Sequence, residues 1–490
     1  VDPHPIAEKI VSVSASAGSI GGQTGVMYGA GALAAKALRT PWTTPQRLVA
    51  FRTLTWVLAG LLLFVGETTL SRGRSAFRAI AKQSAPNIVA AAQIGGAFAD
   101  LDANVANALL GNSAHRAAAE ALIEKHRASV SDGLVNAAQN ITYGDAEKIP
   151  IRAMSVDFGR YLERQAEARL LHDRGEEVAA RGSYWDATAL LHDKLLASVD
   201  QLDKANKSEM DSAYNAQLAA NEGAEDFAIL AGCLLIGALV WTQCFMLRRM
   251  RRMINVPLAL ATLATVCFTF YLVGCFVDVR DDLRIAKTDA FDSIYALVRA
   301  RAIAYDANGD ESRYLLDSSP LHGIDREFRR KVDQLTGSPI LSAAAKADLG
   351  ASNPKIPGML HKSKIVGALW DEVRNITFDG EYLAASEVLN SFSNYYSVDS
   401  RIRTLKQSGK DTDAVELCAG NPPNGSKVAF DAFDKALQKT LDINQAAFDQ
   451  ATARAEAELK RAEIVDPGFA IFLALLAWLG VRARLREYAV

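Results

Sequence analysis

The chain has 490 residues, 50% hydrophobic and 22% charged, with 54 Lys and Arg set against 56 Asp and Glu. That balance excludes a disordered polyelectrolyte and offers no basic surplus for nucleic-acid binding. The apolar share suits helical domains combined with membrane helices.

In chain order, residues 1–50 read as a cytoplasmic N-terminal segment. Its glycine-rich stretch (Gly18, Gly21, Gly22, Gly25) follows no strand and precedes no Gly-Lys-Ser/Thr, so it does not read as a phosphate loop. Residues 51–70 form the first apolar span, expected to act as an uncleaved anchor. A hydrocarbon core of ~30 Å needs roughly 20 apolar helical residues, and further spans at 226–247, 257–277 and 464–481 meet that need.

Between the first two spans, 71–225 predicts a helical bundle. Apolar residues recur every three or four positions at Ile94, Phe98, Leu101, Val105 and Leu109, and again at Ile151, Met154, Phe158 and Leu162. Residues 248–256 form a short basic loop carrying Arg248, Arg249, Arg251 and Arg252. A second bundle is expected over 278–463, with helix faces at Val388, Phe392 and Tyr395 and at Phe430, Phe433, Leu437 and Leu441. Proline and glycine mark inserted loops at 318–361 and 419–426. Residues 482–490 form a short tail. The expected fold class is an all-α membrane protein with four transmembrane helices and two extracytoplasmic helical bundles.

Charge sets the orientation. The bundles are mildly acidic (17 Lys and Arg against 21 Asp and Glu over 71–225, 25 against 30 over 278–466). The remaining twelve basic residues lie before the first span or at its start (Arg52), in the 248–256 loop or after the last span. Short Lys/Arg-rich loops stay cytoplasmic, so both termini and the basic loop are expected inside and both bundles outside. Cys418 is the one cysteine outside the spans, and is therefore the residue that an impermeant thiol reagent should reach.

The two halves share landmarks in one order. Asp102-Ala103-Asn104 precedes Leu109-Leu110, and Asp306-Ala307-Asn308 precedes Leu315-Leu316; Asn140-Ile141-Thr142-Tyr143 answers to Asn375-Ile376-Thr377-Phe378. This order predicts an internal duplication of a span–bundle–span unit. Gly223 and Asp466-Pro467-Gly468 are expected to interrupt the helices leaving each bundle, while the helix entering the second bundle runs on as a rod.

No catalytic constellation emerges, so no enzyme and no cofactor is expected. His172 and His192 fall on charged helix faces and read as solvated. Asp306, Asn308 and Asp310 sit at calcium-loop spacing, but Glu311 stands where the turn needs Gly, which leaves them a weak metal candidate beside a polar helix corner. The spans carry no ionisable group near their centres, which disfavours a transporter or channel. Trp370, Arg374, Phe378 and Tyr382, with Tyr143 and Trp185, are the candidates for ligand or partner contact, against the blander reading of core aromatics. Arg248, Arg249, Arg251 and Arg252 form the candidate cytoplasmic basic face.

A helical ectodomain between two spans, with Ala-Arg-Ala-Ile-Ala-Tyr-Asp-Ala-Asn at 300–308, resembles the four-helix-bundle sensor regions of bacterial chemoreceptors. About nine residues follow the last span, and no coiled-coil, kinase or cyclase output is expected from them. The four-span plan and the run Ala-Gln-Asn-Ile-Thr-Tyr-Gly-Asp-Ala-Glu-Lys at 138–148 also resemble actinobacterial membrane proteins. Those proteins link a glutamine/glutamate-binding lipoprotein to a soluble Ser/Thr protein kinase. The resemblance implies an extracytoplasmic solute-binding protein and a cytosolic signalling protein as partners, and amino-acid sensing as the role. The expected function is a signal relay in the bacterial plasma membrane, touching membrane lipid; a scaffold or accessory subunit of a larger complex is the alternative. A homodimer is open by analogy with bundle receptors.

Overall fold

Hydrophobic runs of this length fold as helices in a membrane because only a helix satisfies its own backbone there. The computed structural model describes residues 42–110, 113–250, 255–317, 323–337, 367–420 and 422–486. The segment 1–41, Arg251, Arg252 and the 318–361 insertion apart from residues 323–337 lie outside the described residues. Among the described residues, four helices are long and apolar enough to cross a membrane: α1 (Thr44–Leu110), α4 (Glu177–Arg249), α5 (Val256–Leu316) and α10 (Ser426–Leu485). Around them stand α2 (Ser113–Gln139), α3 (Asp145–Asp173), α6 (Ile324–Thr336), α7 (Ala368–Arg374), α8 (Glu381–Gln407) and α9 (Asp411–Ala419). No strand occurs among the described residues.

Local chemistry starts the long helices. Thr43 and Gln46 form a capping box ahead of α1, with Pro45 in its first turn. Asn255 caps α5 by accepting from the Leu258 N–H, and Pro257 follows. The spans pack in a ring, α1 beside α4, α4 beside α5, α5 beside α10, and α10 back beside α1. Inside this ring a methyl on Gly232 would stand 2.5 Å from the Thr269 hydroxyl, so the small residue sets the α4–α5 approach. Large apolar side chains such as Val57, Phe64, Trp241, Phe270 and Ile471 stay exposed on the outer surface of the spans, as lipid contact requires.

Each long helix runs on into a bundle. α2, α3 and the bundle portions of α1 and α4 make bundle 1, with a core of Phe98, Met154, Tyr161 and Leu195. α6 to α9 and the bundle portions of α5 and α10 make bundle 2, whose core runs without a break from Leu62 and Leu272 in the spans to Phe392 and Phe433. Tyr305, Phe392, Tyr395, Phe430 and Phe433 meet edge-on there, with centroids 5.0–5.3 Å apart. The two bundles join where α1 packs along α5.

The exits differ from expectation. α4 passes Gly223 and α10 passes Pro467 without a break. A missing N–H ends a helix in water, where solvent can take the freed carbonyl. At a membrane surface, packed neighbours hold the helix together instead. The irregularity lies on the entering helices: wide π-type turns occupy Arg78–Ser84 in α1 and Ile285–Phe291 in α5, and a third occupies Leu191–Leu196 in α4.

Candidate functional site

Asp102 shares the apolar face of α1 with Phe98 and Val105, and a carboxylate on such a face needs a buried partner. That partner is Arg313 of α5, fully buried, whose Nε and Nη2 donate to Asp102 Oδ2 at 3.0 and 2.9 Å. Arg313 Nη1 donates to Asp306 Oδ1 at 3.0 Å and Asp310 Oδ1 at 2.6 Å. Lys331 of α6 reaches Asp306 Oδ2 and Asp310 Oδ2, both at 2.7 Å. Tyr161 and Tyr184 donate to Asp102 at 3.0 and 2.9 Å, and Thr188 at 3.1 Å. Gly309 makes room for this meeting, since a methyl there would stand 3.1 Å from Arg313 Nη2 and 3.4 Å from Ala103 Cβ.

The two Asp-Ala-Asn motifs thus converge on one guanidinium between the bundles. Burial disfavours the charge on Asp306, but Lys331 and Arg313 outweigh it and hold that carboxyl well below the usual range. Burial, then the Asp102 charge, raises the Tyr161 and Tyr184 phenols well above theirs. His192, expected to be solvated, bridges the bundles. Its Nδ1 lies 2.9 Å from the Thr188 carbonyl and its Nε2 lies 3.1 Å from Asp306 Oδ1. Both ring nitrogens face acceptors, one on each bundle. The calcium reading of Asp306, Asn308 and Asp310 gives way to this network. The residues lie on a helix, and Arg313 and Lys331 supply the cations that the two carboxylates need.

The Asn-Ile-Thr-aromatic motifs form matching latches. Glu147 Oε2 accepts from the backbone N–H groups of Thr142 and Tyr143 at 2.6 and 2.7 Å; Glu381 Oε2 accepts from Thr377 and Phe378 at 2.7 and 2.9 Å. Each latch sits on the π turn of its entering helix. Tyr143 and Ser84 hydroxyls share a 2.6 Å hydrogen bond, and the Asn375 amide donates to the carbonyls of Thr288 and Asp289 at 3.0 Å each. Glu147→Ala would orphan two amides and is expected to lower unfolding free energy by about 1–3 kcal/mol, measured by thermal unfolding in detergent.

The remaining candidates are dispersed. Trp370 is buried, donating Nε1–H to the Thr336 carbonyl at 2.9 Å, and ties α7 to α6. Arg374 pairs with Asp371, Phe378 lies in the second latch, and Tyr382 opens α8 with its hydroxyl buried. Trp185 leans on Tyr184 in bundle 1, with centroids 5.4 Å apart. Arg248 and Arg249 end α4. Cys418, expected to be reachable, is buried, with its Sγ 3.6 Å from the Ser312 hydroxyl, so it is not a topology probe.

The sequence reading missed a cleft between the bundles. A cavity of about 480 Å³ lies between α1 and α2 on one side and α5 and α10 on the other, lined by Asp100, His126, Arg301 and Tyr305 among others. An adjoining chamber of about 280 Å³ shares Asp100, Lys125, His126 and Tyr305 with it and extends to Glu311. These are volumes that hold small molecules.

Residues 76–215 match the family model of the actinobacterial sensor domain. The matched stretch begins just before the π turn of α1, covers bundle 1 and ends in α4, and it includes Asp100, Asp102, Tyr161, Tyr184 and His192. The match and the four apolar helices support a bacterial sensor membrane protein with a sensing or signalling role. No curated protein and no solved structure matches the chain.

Proposed function

We propose that this chain is a non-enzymatic transmembrane signal relay of the bacterial plasma membrane. Its bundles lie outside and its basic loop inside, built as two copies of one span–bundle–span unit. The observation that carries the reading is the buried Arg313 network, which makes the sensor domain and bundle 2 share charges that neither can leave alone. Each bundle stands on two unbroken helices that enter the membrane, so a displacement at the shared interface reaches all four spans. Matching latches and matching π turns support the duplication. The input is a small ligand or a ligand-loaded solute-binding protein. The output is a cytosolic signalling protein docking on the arginine-rich inner face, and amino-acid sensing to a Ser/Thr kinase is the finer form of this reading.

Spin labels on cysteines introduced at Arg248 and Arg482 test it. Asp306→Asn, which leaves Arg313 its other partners, should shift the label–label distance distribution in nanodiscs. An unchanged distribution would favour a rigid scaffold and sink the relay. For orientation, Val178→Cys and Leu383→Cys, 81% and 71% exposed on the bundles, should react with an impermeant maleimide on intact cells. Arg248→Cys should react only after permeabilisation, and the reverse pattern would invert the topology.

A further inference from the structure

The cleft between the bundles holds two carboxyl groups that form no ion pair with a lysine or arginine among the described residues. Asp100 on α1 has His126 as its nearest basic group, at 3.6 Å and beyond hydrogen-bond reach. Glu311 on α5 is 1% exposed; its Oε2 accepts from Ser426, but its Oε1 meets no donor. Of the cations nearby, Arg301 and Arg403 hold other carboxylates, while Lys125 and Lys427 line the chamber from exposed positions. Arg301 holds Asp434 through two 2.7 Å hydrogen bonds and Gln438 through a third. Arg403 pairs with Asp399 and Asp325 through its Nε and Nη1, and its buried Nη2 has no hydrogen-bond partner. Lys125 is exposed, and burial together with Lys125 lowers His126 toward its neutral form.

We infer that this cleft binds a small aliphatic ammonium ion, with Asp100 and Glu311 as its charge partners and the Tyr305 ring beside it. Ala103, Ala119, Leu122 and Phe430 line the chamber that both carboxyls share, an apolar wall for methylene groups. A phenol ring beside a carboxylate is a recurrent way of holding an ammonium group. Because α1 brings Asp100 and α5 brings Glu311, one ligand spans the seam between the sensor domain and bundle 2. The inference extends the relay reading to a ligand site within this chain, and its test reads binding alone.

Protonation makes the site self-reporting. Burial pushes the Asp100 carboxyl up to about 8, with Asp434 and Asp431 adding to the rise and Arg301 and Lys125 opposing it. Burial and the Asp399 carboxylate push Glu311 up to about 8, opposed by the hydrogen bond from Ser426, the nearby Tyr395 hydroxyl and Arg403. The empty site is therefore largely protonated at pH 6, and an ammonium ligand must displace protons to enter. Affinity then rises with pH, by roughly 50-fold between pH 6 and pH 8 for a single carboxyl.

The test uses the full chain in nanodiscs and two four-carbon probes of opposite charge, putrescine and succinate, in isothermal titration. Putrescine should bind with proton release, with at least that gain from pH 6 to pH 8. Asp100→Asn should abolish binding. Gly96→Leu should also block it: Gly96 lines the larger cavity one helical turn from Asp100, and the space at its Cβ position is open, so a side chain there grows into the cleft. Absence of saturable putrescine binding, tighter binding of succinate, or undiminished binding in both variants would overturn the site. Binding with no change in the Arg248–Arg482 distance would keep the site and refute the relay.

Discussion

Arg313→Met should destabilise the protein by about 3–5 kcal/mol, the cost of leaving buried carboxylates without their cation. The figure is large against a typical folding stability of about 5–15 kcal/mol. Three carboxylates lose a partner at once, and Asp102, with no exposed surface, has no route to water. Lys331 still serves Asp306 and Asp310, so the stranded charge is Asp102. The double variant Arg313→Met/Asp102→Asn should therefore recover part of the loss, since neutralising the orphan removes its desolvation penalty while Tyr161, Tyr184 and Thr188 still surround it. Thermal unfolding of the detergent-solubilised chain reads both. A single variant as stable as the parent would mean that the bundles do not share this network.

Stability should also fall as pH rises from about 5 to about 8. Asp100, Glu311 and Glu372 all titrate near 8 in the folded chain, against ordinary values of 3.8 for the aspartate and 4.5 for the glutamates. For Glu372 the causes are burial and then the neighbouring Glu381 carboxylate. Within that window the folded chain holds protons that the unfolded chain has released, so each pH unit costs up to about 1.4 kcal/mol per group; above the folded value the curve flattens. The stabilisation is complete below the unfolded values and is lost as pH climbs through 8. Glu372→Gln, which needs no proton to be neutral, should flatten the slope between pH 6 and pH 9 and raise the melting temperature at pH 9. A slope as steep as the parent's would remove Glu372 from the account.

The spans and the helical bundles were legible because hydrophobic runs and three-to-four spacing are local properties. The repeated Asp-Ala-Asn and Asn-Ile-Thr motifs stood out for the same reason. Their chemistry did not, because it depends on residues far along the chain: Arg313 answers Asp102 across 211 positions, and Asn375 answers Thr288 across 87. A hint was available, since Asp102 lies on the face of Phe98 and Val105 and required a counter-charge. Gly223 and Pro467 misled because helix-breaking rules describe peptides in water, whereas these residues lie in helices flanked by other helices. Trp370 belongs to the same lesson: its indole meets a carbonyl in α6, a partner that nothing adjacent to it in sequence announces.

The π turns of α1 and α5 have a consequence for phase. A wide turn carries about one surplus residue, and a residue advances an α-helix by about 100°. The stripe that α1 presents to its neighbours in the membrane is therefore rotated by roughly that angle from the stripe a straight helix would present to the bundle. Excising one residue from Arg78–Ser84 would turn Asp102 away from Arg313 without altering any contact below. Bundle 1 is thus keyed to the spans by an angle, and each entering helix works as a fixed cam whose setting is written in a single surplus residue.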